Sequence, residues 1–475
     1  MKTIITFITL CFVSFNLFSQ TSVNGEQSGT WTISGSPYYV TDSIVVPAGQ
    51  TLTVEAGVTV NFQGNYKFHV AGKLIAIGTE TDSIFFTTNN QSTGWGGIRF
   101  DETSEISELS YCKIEYGKTI SNNFPDQHGG GIMLNNSDIL LNNCVFENNE
   151  ATGDDNGMGG AIYALNSTSQ TQIIDCTFKN NHSYGEGGAI KLSGDNGANI
   201  ENCKFINNSV FYGGGGICLY GCYNTHIYKC LFAGNYTTYS AGGAAFLEGY
   251  SQGVMFVNCT MINNQAQNGD GGGVEIAFSD ASFTNSIIYN NNGAYSDNIY
   301  LDYGYAEINY CNTSVPDDAT GTNNINVDAQ FVNPATGDFH LSENSPCIDA
   351  GIDSLTITDA YNQQITVIDL NPDEYYNTAP DMGCYEYGMT ENIKTLNNSV
   401  SIYPNPADGI LNIQTEKKLL SVEISDISGK TVLKNKFLNS NNNIVDISGL
   451  KNGIYFLNLL FADNSVLNKK VIVSK

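Results

Sequence analysis

Gly159-Gly160-Ala161-Ile162, followed by Cys176-Thr177-Phe178-Lys179-Asn180-Asn181, is one turn of a pattern that recurs through the middle of the chain. The glycine pair returns as Gly130-Gly131-Ile132, Gly187-Gly188-Ala189, Gly215-Gly216-Ile217, Gly242-Gly243-Ala244 and Gly272-Gly273-Val274, with steps of 29, 28, 28, 27 and 30 residues between second glycines. A second marker keeps phase with it: Cys112-Lys113-Ile114, Cys144-Val145-Phe146, Cys203-Lys204-Phe205, Cys230-Leu231-Phe232 and Cys259-Thr260-Met261, with Ser286-Ile287-Ile288 continuing the register. Asparagines trail this marker at Asn148-Asn149, Asn207-Asn208, Asn235, Asn263-Asn264 and Asn290-Asn291.

Cys and the residue two places on share one face of a strand, and the residue between them varies freely, as an outward position does. The repeat has no helical period and consists of short strands between Gly and Asn corners. Strands that recur once per coil stack into a parallel solenoid rising about 4.8 Å per turn. Phe then stacks on Phe inside, and Asn amides hydrogen-bond along the stack at a corner. A propeller blade needs a repeat of about 40 residues or more, and leucine-rich repeats need a Leu frame that is absent here.

Outward from the repeat, the ends differ. Residues 1–19 have the form of a secretory signal peptide: Lys2, an apolar run from Ile4 to Phe18, and a cleavage site at Leu17-Phe18-Ser19 before Gln20. No later segment is apolar for the ~20 residues of a membrane span. Residues 20–100 hold alternating strands such as Thr51-Leu52-Thr53-Val54 and are expected to cap and start the stack. Residues 101–328 are the repeats and residues 329–391 their closure and linker. Residues 392–475 form a separate small antiparallel β-sandwich with Ser-Gly, Asp-Gly and Asn-Gly turns. Charge divides at the same place. Residues 1–391 carry 10 basic and 41 acidic side chains, whereas residues 392–475 carry 10 lysines and 6 acidic residues. So acidic a body repels nucleic acid and other polyanions.

The glycine-pair and Cys-x-Phe-x-Asn-Asn pattern resembles right-handed parallel β-helix proteins, and among them the repeats of polymorphic outer-membrane adhesins. The resemblance covers roughly residues 95–315 and implies a fold, since every matched residue is structural. Ser345-Pro346-Cys347-Ile348-Asp349-Ala350-Gly351 with Pro380-Asp381-Met382-Gly383-Cys384 resembles the terminal "choice-of-anchor" segment of secreted bacterial β-helices. Ile402-Tyr403-Pro404-Asn405-Pro406, Ser425-Asp426-Ile427-Ser428-Gly429-Lys430, Gly453-Ile454-Tyr455-Phe456-Leu457 and the ending Lys469-Lys470-Val471-Ile472-Val473-Ser474-Lys475 resemble the type A sorting domain of the type IX secretion system. That resemblance implies the type IX machinery as a partner, a Bacteroidota-type host, and a route through the periplasm to the cell surface or the medium.

The chain has 12 cysteines. Cys112, Cys144, Cys176, Cys203, Cys230, Cys259 and Cys311 share one repeated position, where parallel Cα–Cβ vectors give poor disulfide geometry; a ladder of free buried thiols is expected. Cys347 with Cys384 is the better disulfide pair, while Cys218 and Cys222 stay open. No histidine accompanies a cysteine cluster at zinc spacing.

Catalytic residues are not marked. A uronate lyase needs cationic groups, and Arg99 is the sole arginine, in a segment read as structural. Asp154-Asp155 and Asp317-Asp318 are adjacent carboxylate pairs in corner loops, and a glycosidase needs two carboxylates suitably apart. Asp349, Asp353, Asp381 and Glu386 are the oxygen donors that would converge on a calcium ion at the C-terminal closure; the alternative is a solvated acidic surface with hydrogen-bonded turn aspartates. No other cofactor is implied. The leading expectation is a non-catalytic exported β-helix serving adhesion, glycan or surface-protein contact, or structure. The alternative is a carbohydrate-active enzyme on the same scaffold, and carboxylates converging beside aromatic side chains would favour it.

Overall fold

The computed structural model describes residues 20–475 except 154–155, 359–363, 371–373, 390–399 and short stretches of the C-terminal unit (404–406, 408, 416–418, 427–430, 437–442, 452, 462–465 and 474–475). The signal segment and Asp154-Asp155 therefore lie outside the described residues. The chain divides into two compact units, Met1–Gly388 and Met389–Lys475.

The first unit is a parallel β-solenoid, and no α-helix occurs among the described residues. Each full coil contributes strands to three long sheets and one short sheet. The first sheet takes the strand after the glycine pair (Ile132–Asn135, Ile162–Leu165, Ile190–Ser193 and so on to Ile299–Asp302). The second takes Ile139–Asn142, Gln172–Ile174 and their successors to Tyr305–Asn309. The third takes the strand around the Cys-x-Phe marker, and the fourth is a two-residue strand such as His182–Ser183. Like residues pair with like, Phe146↔Phe178 and Phe178↔Phe205 among them.

The interior follows from that register. Phe146, Phe178, Phe205 and Phe232 are fully buried and stack 4.9, 5.0 and 4.5 Å apart. A second ladder joins Phe256 to Phe283 at 5.0 Å. Asn149, Asn181, Asn208, Asn235, Asn264 and Asn291 form the corner ladder: each Nδ2 donates to the next coil's Asn Oδ1 or equivalent and to a carbonyl of the previous coil. The asparagine before it supplies a left-handed backbone (Asn148 φ 56°, Asn180 φ 55°, Asn207 φ 54°), which Asn tolerates better than most residues. In one coil Gly234 takes that place with φ 67°.

The glycine register differs from the sequence reading by one residue in three coils. Ile132 pairs with Ile162, so Gly131 corresponds to Ala161, and the conserved geometry belongs to Gly129-Gly130. The same shift selects Gly214-Gly215 and Gly271-Gly272. The first glycine of each pair has φ near 60–70°, and a Cβ on the second would strike backbone, as Gly160 does with the Gly188 oxygen at 2.2 Å. Runs of three or four glycines hide which two positions carry these demands.

The thiol ladder is present. Cys112, Cys144, Cys176, Cys203, Cys230, Cys259 and Cys311 are buried and free, and Ser286 holds the missing rung by accepting the Cys259 N–H at 3.1 Å. Cys347 and Cys384 are also free, contrary to the pairing expected from sequence. They occupy different apolar clusters: Cys384 with Leu231, Ile262 and Phe339, and Cys347 with Ile287, Leu341 and Met382.

Those clusters show what residues 329–388 do. The segment runs back along the flank of the third sheet rather than stopping at the last coil. The Asn258 amide donates to the Asp381 oxygen (3.1 Å), Gly383 N–H to the Asn285 oxygen (2.7 Å), and Cys384 N–H to Thr260 Oγ1 (3.0 Å). Outward residues of the marker strands become apolar here, at Leu231, Ile262 and Ile287, because this strap covers them.

The second unit has a three-stranded antiparallel sheet (Val400–Tyr403, Ile410–Thr415, Asn443–Asp446) and a four-stranded one (Leu419–Asp426, Thr431–Lys436, Gly453–Phe461, Val466–Val473). Leu411, Val422, Ile424, Leu457, Leu459 and Val471 are among its core residues.

Candidate functional site

Side chains that alternate with the buried Ile and Leu of the first sheet point outward. One outward column reads, in register, Arg99, Met133, Tyr163, Lys191, Cys218, Phe246, Glu275 and Tyr300. A second reads Asp101, Asn135, Leu165, Ser193, Tyr220, Glu248, Ala277 and Asp302. Corner segments lean over the first column. His128 stacks on Tyr163 at 4.4 Å, Gly213 lies against the Phe246 ring, and Ala241 covers Cys218. Lys191, Cys218 and Glu275 are consequently 2%, 0% and 9% exposed, although they face away from the core.

Lys191 is the hub of this face. Its ammonium donates to Glu248 Oε1 (3.0 Å), to Cys218 Sγ (3.2 Å) and to Glu186, and it sits 5.2 Å from the Tyr220 ring centre. Burial opposes charge on Lys191, but its anionic neighbours outweigh burial and hold its pKa above the ordinary value. Burial raises the Cys218 thiol, which leaves Glu186 and Glu248 as the carboxylate partners of the lysine. Glu186, Cys218 and Glu248 are the one group of three donors among the described residues whose ligand atoms lie within 4.8 Å of one another. The ammonium occupies the centre that a metal ion would take.

Three coils on from Lys191, Glu275 shares its surroundings with the carboxylates of Asp270 and Asp302. Glu275 is pushed up to about 8 by burial, and then by Asp270, Asp302 and Glu248. Burial also raises Asp270, and its Oδ1 is buried with no hydrogen-bond partner. Tyr300 is raised, first by Asp270.

Rings border the face on both sides. Tyr184 stacks on Phe211 at 4.6 Å, and Tyr239 lies tilted against Phe211 at 4.7 Å. On the other side Tyr250, Phe278 and Tyr303 form a row with spacings of 6.3 and 5.3 Å, and they are 67%, 50% and 85% exposed. Phe278 and Tyr303 have φ of 49° and 52°. The corresponding place is taken by Glu102 in the first of these coils and by Asn136, Asn166, Gly194, Gly221 and Gly249 in the coils between, the last five being residues suited to that backbone. Two bulky rings in left-handed backbone, left in water, are the kind of outlier that marks functional sites.

The residues singled out from sequence lie elsewhere. Asp381 accepts the Asp349 N–H (2.8 Å) and the Tyr387 N–H (2.5 Å), Asp349 accepts from Thr378 and Ala379, and Glu386 accepts the Asp381 N–H. These three share one network in the strap, and Asp353 is approached by the Tyr375 hydroxyl at 3.4 Å. Asp317 and Asp318 are exposed in a turn. Arg99 is buried, with its guanidinium donating to the carbonyls of His128, Gly129 and Gly96. Cys222 faces the core while Cys218 faces out, which separates that pair.

Three family models match the chain. One described as a right handed beta helix region covers residues 160–327, and a Chlamydia polymorphic membrane protein repeat covers 143–165. A secretion system C-terminal sorting domain covers 401–474. No curated protein matches the chain. The chain is a β-helix protein with a type IX C-terminal sorting tail, and the tail implies secretion by that system. Among the described residues no helix is long and apolar enough to cross a membrane.

Proposed function

We propose that the signal segment takes the chain to the periplasm, that the sorting tail takes it across the outer membrane, and that the delivered solenoid binds a neutral glycan without turning it over. The observation that carries the binding reading is the Phe278–Tyr303 row, held in backbone that favours Gly or Asn and exposed beside the carboxylates of the first sheet. Exposed rings stack on the apolar faces of sugars, and carboxylates accept their hydroxyl protons. The strongly acidic body argues for an uncharged polymer.

The full chain is to be screened on a glycan array and then titrated with the best neutral oligosaccharide. Phe278→Ala and Tyr303→Ala are each expected to weaken binding about 3- to 10-fold. Binding that ignores both changes overturns the assignment of this face. Deletion of residues 400–475 is expected to leave the protein in the periplasm, and its normal delivery outside would refute the route.

Hydrolysis is the second reading, favoured by the gathering of Asp270, Glu275 and Asp302 beside Tyr300. Release of reducing ends from a neutral polysaccharide, lost in Glu275→Gln, would replace the non-catalytic reading.

A further inference from the structure

Lys191 is a nucleophile held out of water between two carboxyl groups. It lies between Ile190 and Leu192, both fully buried in the core, so its side chain projects from the outer face, yet it is only 2% exposed there. Its Nζ donates to Glu186 and, at 3.0 Å, to Glu248 Oε1. The carbon that bears Oε1 is therefore within reach of the nitrogen, the kind of contact from which a bond can form. Glu186 and Glu248 offer oxygens within 4.8 Å of each other, so one proton can pass between them. Cys218 Sγ, 3.2 Å from Nζ and 3.7 Å from Glu248 Oε1, and the Tyr220 ring close the remaining sides. Glu248 reaches Lys191 from two coils away, across the strand Ile217–Tyr220.

We propose that Lys191 condenses with Glu248 to form an isopeptide bond, with Glu186 carrying the proton. The ammonium gives a proton to Glu186, which passes it to Glu248, leaving a neutral amine beside a carboxylic acid. Nζ then attacks Cδ of Glu248 and the Nζ–Cδ bond forms. Glu186 takes the second proton from the nitrogen and delivers it to the departing hydroxyl, and the Cδ–O bond breaks with loss of water. Ammonium and carboxylate become amide and one water, with no change of oxidation state and no co-reactant. Burial raises the Glu248 carboxyl, which favours the acid form that the attack needs. Burial also supplies the drive: an ion pair held out of water recovers its lost hydration only in part, and condensation replaces it with a neutral amide. The bond would fasten the strand Ile190–Ser193 to the strand Ala245–Glu248 and close a covalent loop 57 residues apart in sequence. An exported chain whose described cysteines are all free gains a cross-link that needs no oxidant. The proposal is independent of the glycan reading.

The test is the intact mass of the purified full chain, followed over time at neutral pH, with peptic digestion and tandem mass spectrometry to place any link. The chain is expected to weigh one water less than its sequence requires, with a branched peptide joining Lys191 to Glu248. Lys191→Arg keeps the charge and the hydrogen-bonding reach but cannot condense in this way, and it should keep its full mass, with circular dichroism confirming the fold. Glu186→Gln should form the link at least tenfold more slowly than the parent. A parent chain that stays at full mass overturns the proposal. So does a link made to Glu186 in place of Glu248, or one that forms at the parent rate in Glu186→Gln.

Discussion

At Phe278 the backbone adopts a left-handed conformation that costs a bulky L-residue roughly 1–2 kcal/mol, and half the ring remains in water. Neighbouring coils relieve the same strain with Asn or Gly. Phe278→Asn is therefore expected to leave stability unchanged or raise it by up to about 1 kcal/mol while weakening glycan binding, with the denaturant midpoint as the measure. A clear loss of stability would show that the ring supports the fold. His128 makes a second argument at this scale. Burial, then Arg99 and Lys191, lowers its pKa from 6.5 to about 4, and its Nδ1 accepts the Met158 N–H at 3.1 Å. Its folded pKa lies below the unfolded one, so the unfolded chain binds the extra proton between those values. The stabilisation is complete above pH 6.5 and is lost as pH falls towards 4. His128→Asn should lose less stability than the parent between pH 7 and pH 5, and equal losses would refute the assignment. Neither residue is marked by the repeat, which explains why the sequence did not single them out. The outward column changes chemistry at every coil, from Tyr163 to Lys191 to Cys218 to Phe246 to Glu275, and a period reveals only what stays the same.

The ladders are the elements that the period does reveal. Cys-x-Phe and the second Asn recur because each rung must bond with the rungs above and below. Asn235 shows the stakes: its Nδ2 donates to the Phe205 and Asn264 oxygens, and its Oδ1 accepts from the Asn208 backbone and amide. Asn235→Ala strands donors and an acceptor on both neighbouring coils and is expected to cost about 3 kcal/mol, with loss of hydrogen-exchange protection concentrated in the coils of Asn208 and Asn264. A uniform change across the solenoid would contradict so local a role. The glycine corners were legible as bends but not in register, because a triplet satisfies the pattern in two ways while Gly129 alone meets the left-handed backbone. The Lys191 hub was not legible at all. Glu186 is five positions before Lys191, whereas Glu248 is 57 after it and meets it only because coils stack.

For the molecule as a whole, the stack and its tail could be read from the sequence, whereas the course of residues 329–388 could not. A run of turns carries no period, and its destination is set by apolar outward residues such as Leu231 and Ile262 in coils far from it in sequence. Gly383 seats the strap with φ 100°, and a Cβ there would meet Thr260 Oγ1 at 2.8 Å and Ile287. Gly383→Ala should loosen it, so Cys384 becomes reactive towards a thiol reagent while Cys203 in the central ladder stays protected. If both thiols react together, the strap is not a separate unit. The strap touches several coils, from Lys204 under Tyr385, through Asn258 and Asn285, to Asn312 beside Cys347. That gives the solenoid a mechanical property. Tension applied at residue 388 does not peel the last coil away and then the next. A pull along the stack is expected to load the strap as shear, shared among its contacts with successive turns, as in a riveted lap joint.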